Sequence, residues 1–313
     1  MNPTYHDAQA LAQSLSFPAL INHLRDAHRQ PPPDVQRLLM QQPTASGSEN
    51  GLLIWPAWQT GRNLGVKIVT LFPDNRVRPT VQALYVLFDG QDGSIQALLD
   101  GTEMTYWKTA ADSALGADYL ARRDAKTLLM VGAGNLAPYL IRAYQSIRPT
   151  LSRIQVWNRT PEKARALVAA IKDTPAEIAL DLRAAVRQAD IVCCATSGTD
   201  PLIKGAWLAP GTHLDLIGGY TGNMREADDE AVSRARVFVD SRWFTIEHVG
   251  DLTQPIANGV ITAGDVRADL FDLCSGRHTG RQSNSEITLF KCGGGAHLDL
   301  MTAQYIADVL ARG

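Results

Sequence analysis

Between residues 65 and 72 the chain runs Gly65, Val66, Lys67, Ile68, Val69, Thr70, Leu71 and Phe72, and its side-chain character alternates with the period of two expected of a half-buried strand. Apolar runs at 52–55 and 82–89 flank it. A further run at 94–99 follows the turn residues Asp89, Gly90, Asp92 and Gly93, so the set predicts an antiparallel meander. Ahead of the meander lies a helical stretch that Pro31 to Pro33 interrupt. After it, Thr102 is placed to cap a helix reaching about Ala121, which ends in charged residues and reads as a hinge between domains. Beyond residue 126 the pattern changes. Apolar strands at 127–131, 153–157, 190–195, 213–217 and 237–240 mostly alternate with helical stretches, which predicts a parallel sheet. A last strand at 286–291 precedes a helix at 295–311, expected to return to the first domain.

Composition narrows the class. A chain of 313 residues is long enough for two cores. Its 30 basic and 32 acidic side chains leave no field to attract polyanions, so nucleic acid is not an expected partner. No leader pattern and no apolar run of membrane-spanning length is evident, and a cytoplasmic protein without a membrane partner is expected. Cys193, Cys194, Cys274 and Cys292 have neither metal-ligand nor disulfide-scaffold spacing, so reduced thiols and no metal are expected.

The run Leu128 to Ala137 is an apolar strand that breaks at Gly132, Ala133, Gly134, Asn135 and Leu136 before a helix. Gly132 permits a tight turn, Gly134 lets backbone approach a pyrophosphate, and Ala137 lets the helix pack on the sheet with its N-terminus toward the anion. This is a dinucleotide site. The second strand ends in Trp157, Asn158, Arg159 and Thr160, where an NAD enzyme carries an acid for the ribose hydroxyls. Arg159, with Asn158 and Thr160 as further donors, suits a 2′-phosphate instead. NADPH is therefore expected, with NADH weaker. Ala195, Thr196 and Ser197 end another parallel strand, at the edge where a cofactor lies.

Together these segments resemble the ornithine cyclodeaminase and mu-crystallin family over nearly the whole chain. The likeness rests on Gly65 to Thr70, Asp100-Gly101 with Lys108 to Ala111, the glycine turn, Gly218-Gly219 with Arg225 to Asp228, Gly250-Asp251-Leu252, Gly280-Arg281 and Glu286 to Lys291. It implies an α/β fold: a Rossmann-type doubly wound parallel sheet at 123–290, and a smaller α+β substrate and dimerisation domain at 1–122, completed by 291–313. A homodimer is implied as well. Lys67 matches the family's carboxylate-binding lysine, Lys108 stands where an arginine is usual, and Arg37 is a third candidate for the carboxylate. Tyr220, after the paired glycines, replaces an acid that serves amine chemistry in the cyclodeaminases. Cys292 and Gly293, in a glycine-rich turn read as flexible, are candidates for contact with the substrate. Asp112, one turn beyond Lys108, can pair with it. His297 is a candidate proton shuttle that is more simply structural.

These variants are most similar to the branch reducing Δ1-pyrroline-2-carboxylate and Δ1-piperideine-2-carboxylate, to L-proline and L-pipecolate. Three other readings stay open. They are an amino-acid or N-alkyl amino-acid dehydrogenase, an ornithine cyclodeaminase, and a non-catalytic NADPH or small-molecule binding protein.

Overall fold

The structure, a computed structural model, describes residues 4–172 and 174–311. Two compact units divide the chain: Met1–Lys108 with Gly295–Gly313, and Thr109–Gly294.

In the first unit, strands β1 (Tyr5–His6), β2 (Asp34–Val35), β3 (Leu38–Pro43), β4 (Glu49–Gln59), β5 (Asn63–Leu71), β6 (Val81–Asp89) and β7 (Ile95–Asp100) form a mixed sheet of order β1-β7-β6-β5-β4-β2, with β3 also on β4. The meander β4 to β7 is antiparallel and β1 alone joins in parallel. Along β5 buried and half-buried residues alternate: Gly65, Lys67 and Val69 face the core, and Val66, Ile68 and Thr70 the other side. The C-terminal helix Ala296–Leu310 covers the core face and packs against the helix Phe17–Ala27. The expected strand at 52–55 is longer, running through Pro56. A proline removes a ladder donor, but the nitrogen of Pro56 faces the interrupted edge between β2 and β3, where Gln36 only donates to its carbonyl.

The long helix Gly101–Leu120 begins before Thr102, because the Asp100 carboxylate accepts the Glu103 amide at 2.8 Å. Asp100 is the N-cap. Gly101 is required there, since a Cβ would lie 2.8 Å from the Ala83 backbone.

The second unit holds β8 (Thr127–Val131), β9 (Arg153–Trp157), β10 (Ala176–Ile178), β11 (Ile191–Cys194), β12 (His213–Leu216), β13 (Arg236–Val239), β14 (Val266–Ala268) and β15 (Thr288–Lys291). All are parallel, in the order β10-β9-β8-β11-β12-β15-β13-β14. From β8 the chain winds first to β9 and later to β11 on the other side. That reversal is the switch point at which such sheets bind ligands, beyond the carboxyl ends of their strands. The last strand, β15, enters the middle of this sheet between β12 and β13. Among the described residues no helix is long and apolar enough to cross a membrane.

Candidate active site

At the carboxyl end of β8, Gly132 adopts φ +108°, a conformation that side chains disfavour, and donates its N–H to the Trp157 carbonyl at 2.8 Å. A Cβ on Gly132 would meet the Ala195 carbonyl oxygen at 2.5 Å, whereas one on Gly134 would meet nothing within 4 Å. The open space over Gly134 is what backbone approach to a pyrophosphate requires. The helix Ala137–Ile147 then starts without a side-chain cap, and the positive end of its dipole lies beyond the glycine turn, where it favours an anion. These residues fit a dinucleotide.

Asn158 has a different task from the expected one. Its Oδ1 accepts the Ala133 amide at 3.1 Å and its Nδ2 donates to the Thr160 carbonyl at 2.9 Å, so the side chain braces the glycine turn. Arg159 and Thr160 are exposed. Thr160 occupies the N-cap of the next helix, yet its hydroxyl makes no cap bond. Thr196 is committed too. Its amide and hydroxyl both donate to Glu226 Oε1, at 2.6 and 3.0 Å. Ala195 is half-buried and Ser197 exposed beside it.

The turn after β15 is held firmly, contrary to its reading as a flexible link. Asp240 Oδ2 accepts the amides of Gly293 at 3.0 Å and Gly294 at 2.6 Å, while its Oδ1 takes the Ser241 amide and the Thr245 hydroxyl. The Gly293 amide therefore points inward, to Asp240. Asp112, Asp240 and the Cys292 thiol lie within 4.8 Å of one another, all buried. The backbone and hydroxyl donors at Asp240 account for that carboxylate. Cys193 and Cys194 are core residues of β11, and all four cysteines are buried and outside any disulfide. Tyr220 is 65% exposed.

In the first unit the sheet presents Lys67, only 5% exposed, on its covered face. An ammonium so buried requires an anion. Asp299, on the C-terminal helix, provides it: Lys67 Nζ lies 3.1 Å from Oδ1 and 3.0 Å from Oδ2. Lys108 Nζ is 3.8 Å from the same Oδ1, so one carboxylate serves two ammonium groups. Thr105, whose hydroxyl donates to the Gly101 carbonyl, accepts from Lys67 at 3.4 Å, and the Trp55 ring centre lies 5.6 Å from its Nζ. Burial lowers the pKa of Lys67, Asp299 opposes the shift, and Lys108 adds to it.

Tyr85, opposite Lys67 on β6, leans over Gly65, where any Cβ would strike the phenol. Burial, followed by the charge of Asp299, raises the Tyr85 pKa well above the ordinary phenol range. His297 is fully buried, its ring 6.2 Å from that of His28. Burial, then His28 and Lys108, push its pKa well below the usual histidine range, and burial brings His28 to about 4. Burial disfavours the charged form of both rings, in keeping with the structural reading of His297. Arg37 is exposed between β2 and β3. The flanking pairs, Val35 with Ala57 and Leu38 with Ile54, put Arg37 opposite Trp55, whose other neighbour is Lys67. Directly opposed residues share a face. Lys67 and Lys108 thus meet at Asp299, while Arg37 lies two strands from Lys67 by register.

Sequence reasoning does not single out Asp299. The signal it carries is an acid within His297-Leu298-Asp299-Leu300-Met301, a run otherwise suited to a buried helix.

A sequence profile described as the ornithine cyclodeaminase/mu-crystallin family matches residues 7–313. A Delta(1)-pyrroline-2-carboxylate reductase of Paracoccus denitrificans is 46% identical over 95% of this chain and 94% of its own length. That of Colwellia psychrerythraea is 36% identical, over 97% and 98%. The Thermococcus litoralis Delta(1)-pyrroline-2-carboxylate reductase, solved with NADH and L-proline, superposes with a TM-score of 0.89 at 28% identity, covering 98% of this chain and 97% of that one.

Proposed function

Since the chain belongs to the ornithine cyclodeaminase/mu-crystallin family, we propose that it reduces cyclic imino acids with NADPH, Δ1-pyrroline-2-carboxylate to L-proline and Δ1-piperideine-2-carboxylate to L-pipecolate. It is a nicotinamide-dependent enzyme acting on C=N bonds, as its reductase relatives are. The observation that carries the substrate reading is the buried Lys67 ammonium, held by Asp299 beside Lys108. In this reading Lys108 and Arg37 hold the ring carboxylate, and Lys67 keeps a proton at the imine nitrogen, which makes the adjacent carbon electrophilic. The glycine turn at Gly132 and Gly134 would hold the nicotinamide cofactor, whose chemistry when bound would be hydride donation. Asp299 orients Lys67 and stabilises its protonated form. Tyr220 offers no carboxylate base, so the amine chemistry of deaminative cyclisation is not expected. Pure protein mixed with either cyclic imine is expected to oxidise NADPH, followed by its absorbance. No oxidation with either imine removes the reading.

NADPH is preferred in this reading because Arg159 is exposed at the end of β9 and no acid stands there. Arg159→Ala is expected to raise KM for NADPH roughly tenfold, about the worth of one exposed charge-assisted hydrogen bond, and to leave KM for NADH unchanged. Equal effects on both cofactors exclude a 2′-phosphate contact.

The outer face of the first unit's sheet is apolar, with Ile54, Val66 and Ile68 half-buried and Leu38, Met40 and Trp58 exposed. The occupant we assign to it is a second copy of the chain, in keeping with the homodimer the family implies. Light scattering is expected to give a dimer, and Ile68→Asp a monomer. A monomeric parent protein overturns the assignment.

A further inference from the structure

One buried carboxylate in the second unit ties together the strand ends at which the nicotinamide half of a dinucleotide lies, and the proposed mechanism does not use it. Glu226 is fully buried. Its Oε1 accepts the amide and hydroxyl of Thr196, just beyond β11, and its Oε2 accepts the Gly218 amide, just beyond β12, at 2.7 Å. The backbone amide of Glu226 donates to Asp251 Oδ1 at 2.7 Å, and Asp251 Oδ2 lies 3.0 Å from Lys291 Nζ, at the end of β15. The chain Lys291, Asp251, Glu226 thus secures three adjacent strand ends.

The paired glycines are shaped by it. A Cβ on Gly218 would strike the Thr196 backbone and come within 2.6 Å of Glu226 Oε1, and one on Gly219 would come within 2.7 Å of Asp251 Oδ2. Both loops are pressed onto the carboxylates with no room for a side chain. β11 and β12 lie on the far side of the switch point from β9, so their ends lie along the nicotinamide half.

We propose that Glu226, in its ionised form, is a positioning residue that sets the Thr196 and Gly218 loops in the shape that receives the nicotinamide end of the cofactor. The inference rests on the reading of this chain as a nicotinamide enzyme, and on no particular substrate. The Thr196 amide and hydroxyl on Oε1 and the Gly218 amide on Oε2 use both oxygens as acceptors; a proton on Oε2 faces an amide that can only donate, and one on Oε1 requires the Thr196 hydroxyl to reverse. The charged and titratable groups around Glu226 are Lys291 on β15, Asp251, Cys193 and Cys194 on β11, and Asp215 on β12. Burial raises the Glu226 pKa to about 7, Lys291 opposes the rise and Asp251 adds to it. The same cause brings Asp215 to about 7.

The test is the dissociation constant of NADH, read by its fluorescence between pH 6 and 8. NADH is the probe because it lacks the 2′-phosphate, which titrates near ~6. The parent protein is expected to bind about tenfold more weakly at pH 6 than at pH 8, since a group of pKa about 7 is roughly one-tenth ionised at pH 6. Glu226→Gln is expected to bind on the order of 30-fold more weakly at pH 8, with no dependence on pH. Thr196→Val, which loses the hydroxyl donor and keeps the amide, is expected to bind about threefold more weakly and to keep the inflection. It serves if Glu226→Gln does not fold. A flat parent profile overturns the proposal. So does an inflection that persists in Glu226→Gln, which would belong to Asp215. If the parent protein binds no nicotinamide at any pH, the nicotinamide reading fails with it; unaltered binding by Glu226→Gln removes this inference alone.

Discussion

Lys67→Met is expected to lower kcat/KM for the cyclic imine by roughly 10²–10⁴, the usual worth of a positioned proton donor, and to leave cofactor affinity unchanged. The side chain is buried between Asp299 and Thr105. Asp299 retains Lys108 at 3.8 Å, so part of its charge stays compensated and the fold survives. Lys67→Arg divides the two roles. A guanidinium keeps the charge and does not release its proton near neutrality, so KM is expected to hold while kcat falls. In the parent protein, burial lowers the Lys67 pKa, and in the proposed mechanism the proton-carrying form is the active one. Activity is therefore expected to fall as pH rises, starting below the ordinary lysine range. Steady-state kinetics across pH, with cofactor binding and thermal unfolding as controls, check each part. Unchanged kcat/KM in Lys67→Met removes the residue from the mechanism.

The second large effect separates two glycines that are alike in the motif. Gly132→Ala places a Cβ 2.5 Å from the Ala195 carbonyl oxygen, at φ +108°. That carbonyl cannot retreat easily, because the Ala195 amide is bonded to the Val131 carbonyl at 2.9 Å. A loss of about 3 kcal/mol or more in stability is expected from strain and overpacking together, along with loss of cofactor binding. Gly134→Ala meets open space and no positive φ, so its stability is expected to stay within about 0.5 kcal/mol of the parent. Its methyl group nonetheless occupies the approach of the pyrophosphate, and cofactor affinity is expected to fall on the order of 100-fold. Denaturant unfolding and cofactor titration on both variants check the pair. Gly134→Ala with parental affinity argues against a pyrophosphate at this turn.

Several features are legible in the sequence by itself because they are local. The period of two at 65–72 becomes a strand with Lys67 on its buried face. The strand, glycine turn and helix at 127–147 take the predicted form, since turn geometry and small residues are read over ten positions. The absence of an acid at the end of β9 is likewise visible in the sequence. Local reading misjudges the cap at Thr102, where Asp100 wins with a stronger acceptor.

What only the tertiary structure decided are the partners of these groups. Lys67 and Asp299 are 232 positions apart, and no periodicity in either segment announces the other. Asp240 captures the amides of Gly293 and Gly294 from more than fifty residues away, so a turn that looks flexible as a string of glycines is pinned. Glu226 reaches back 30 positions to Thr196 and, with Asp251, explains why neither paired glycine can carry a side chain. A hydrophobic pattern specifies which face of an element is buried. Which charge meets which across that buried face depends on strand order and register, and those are settled only when the whole sheet packs.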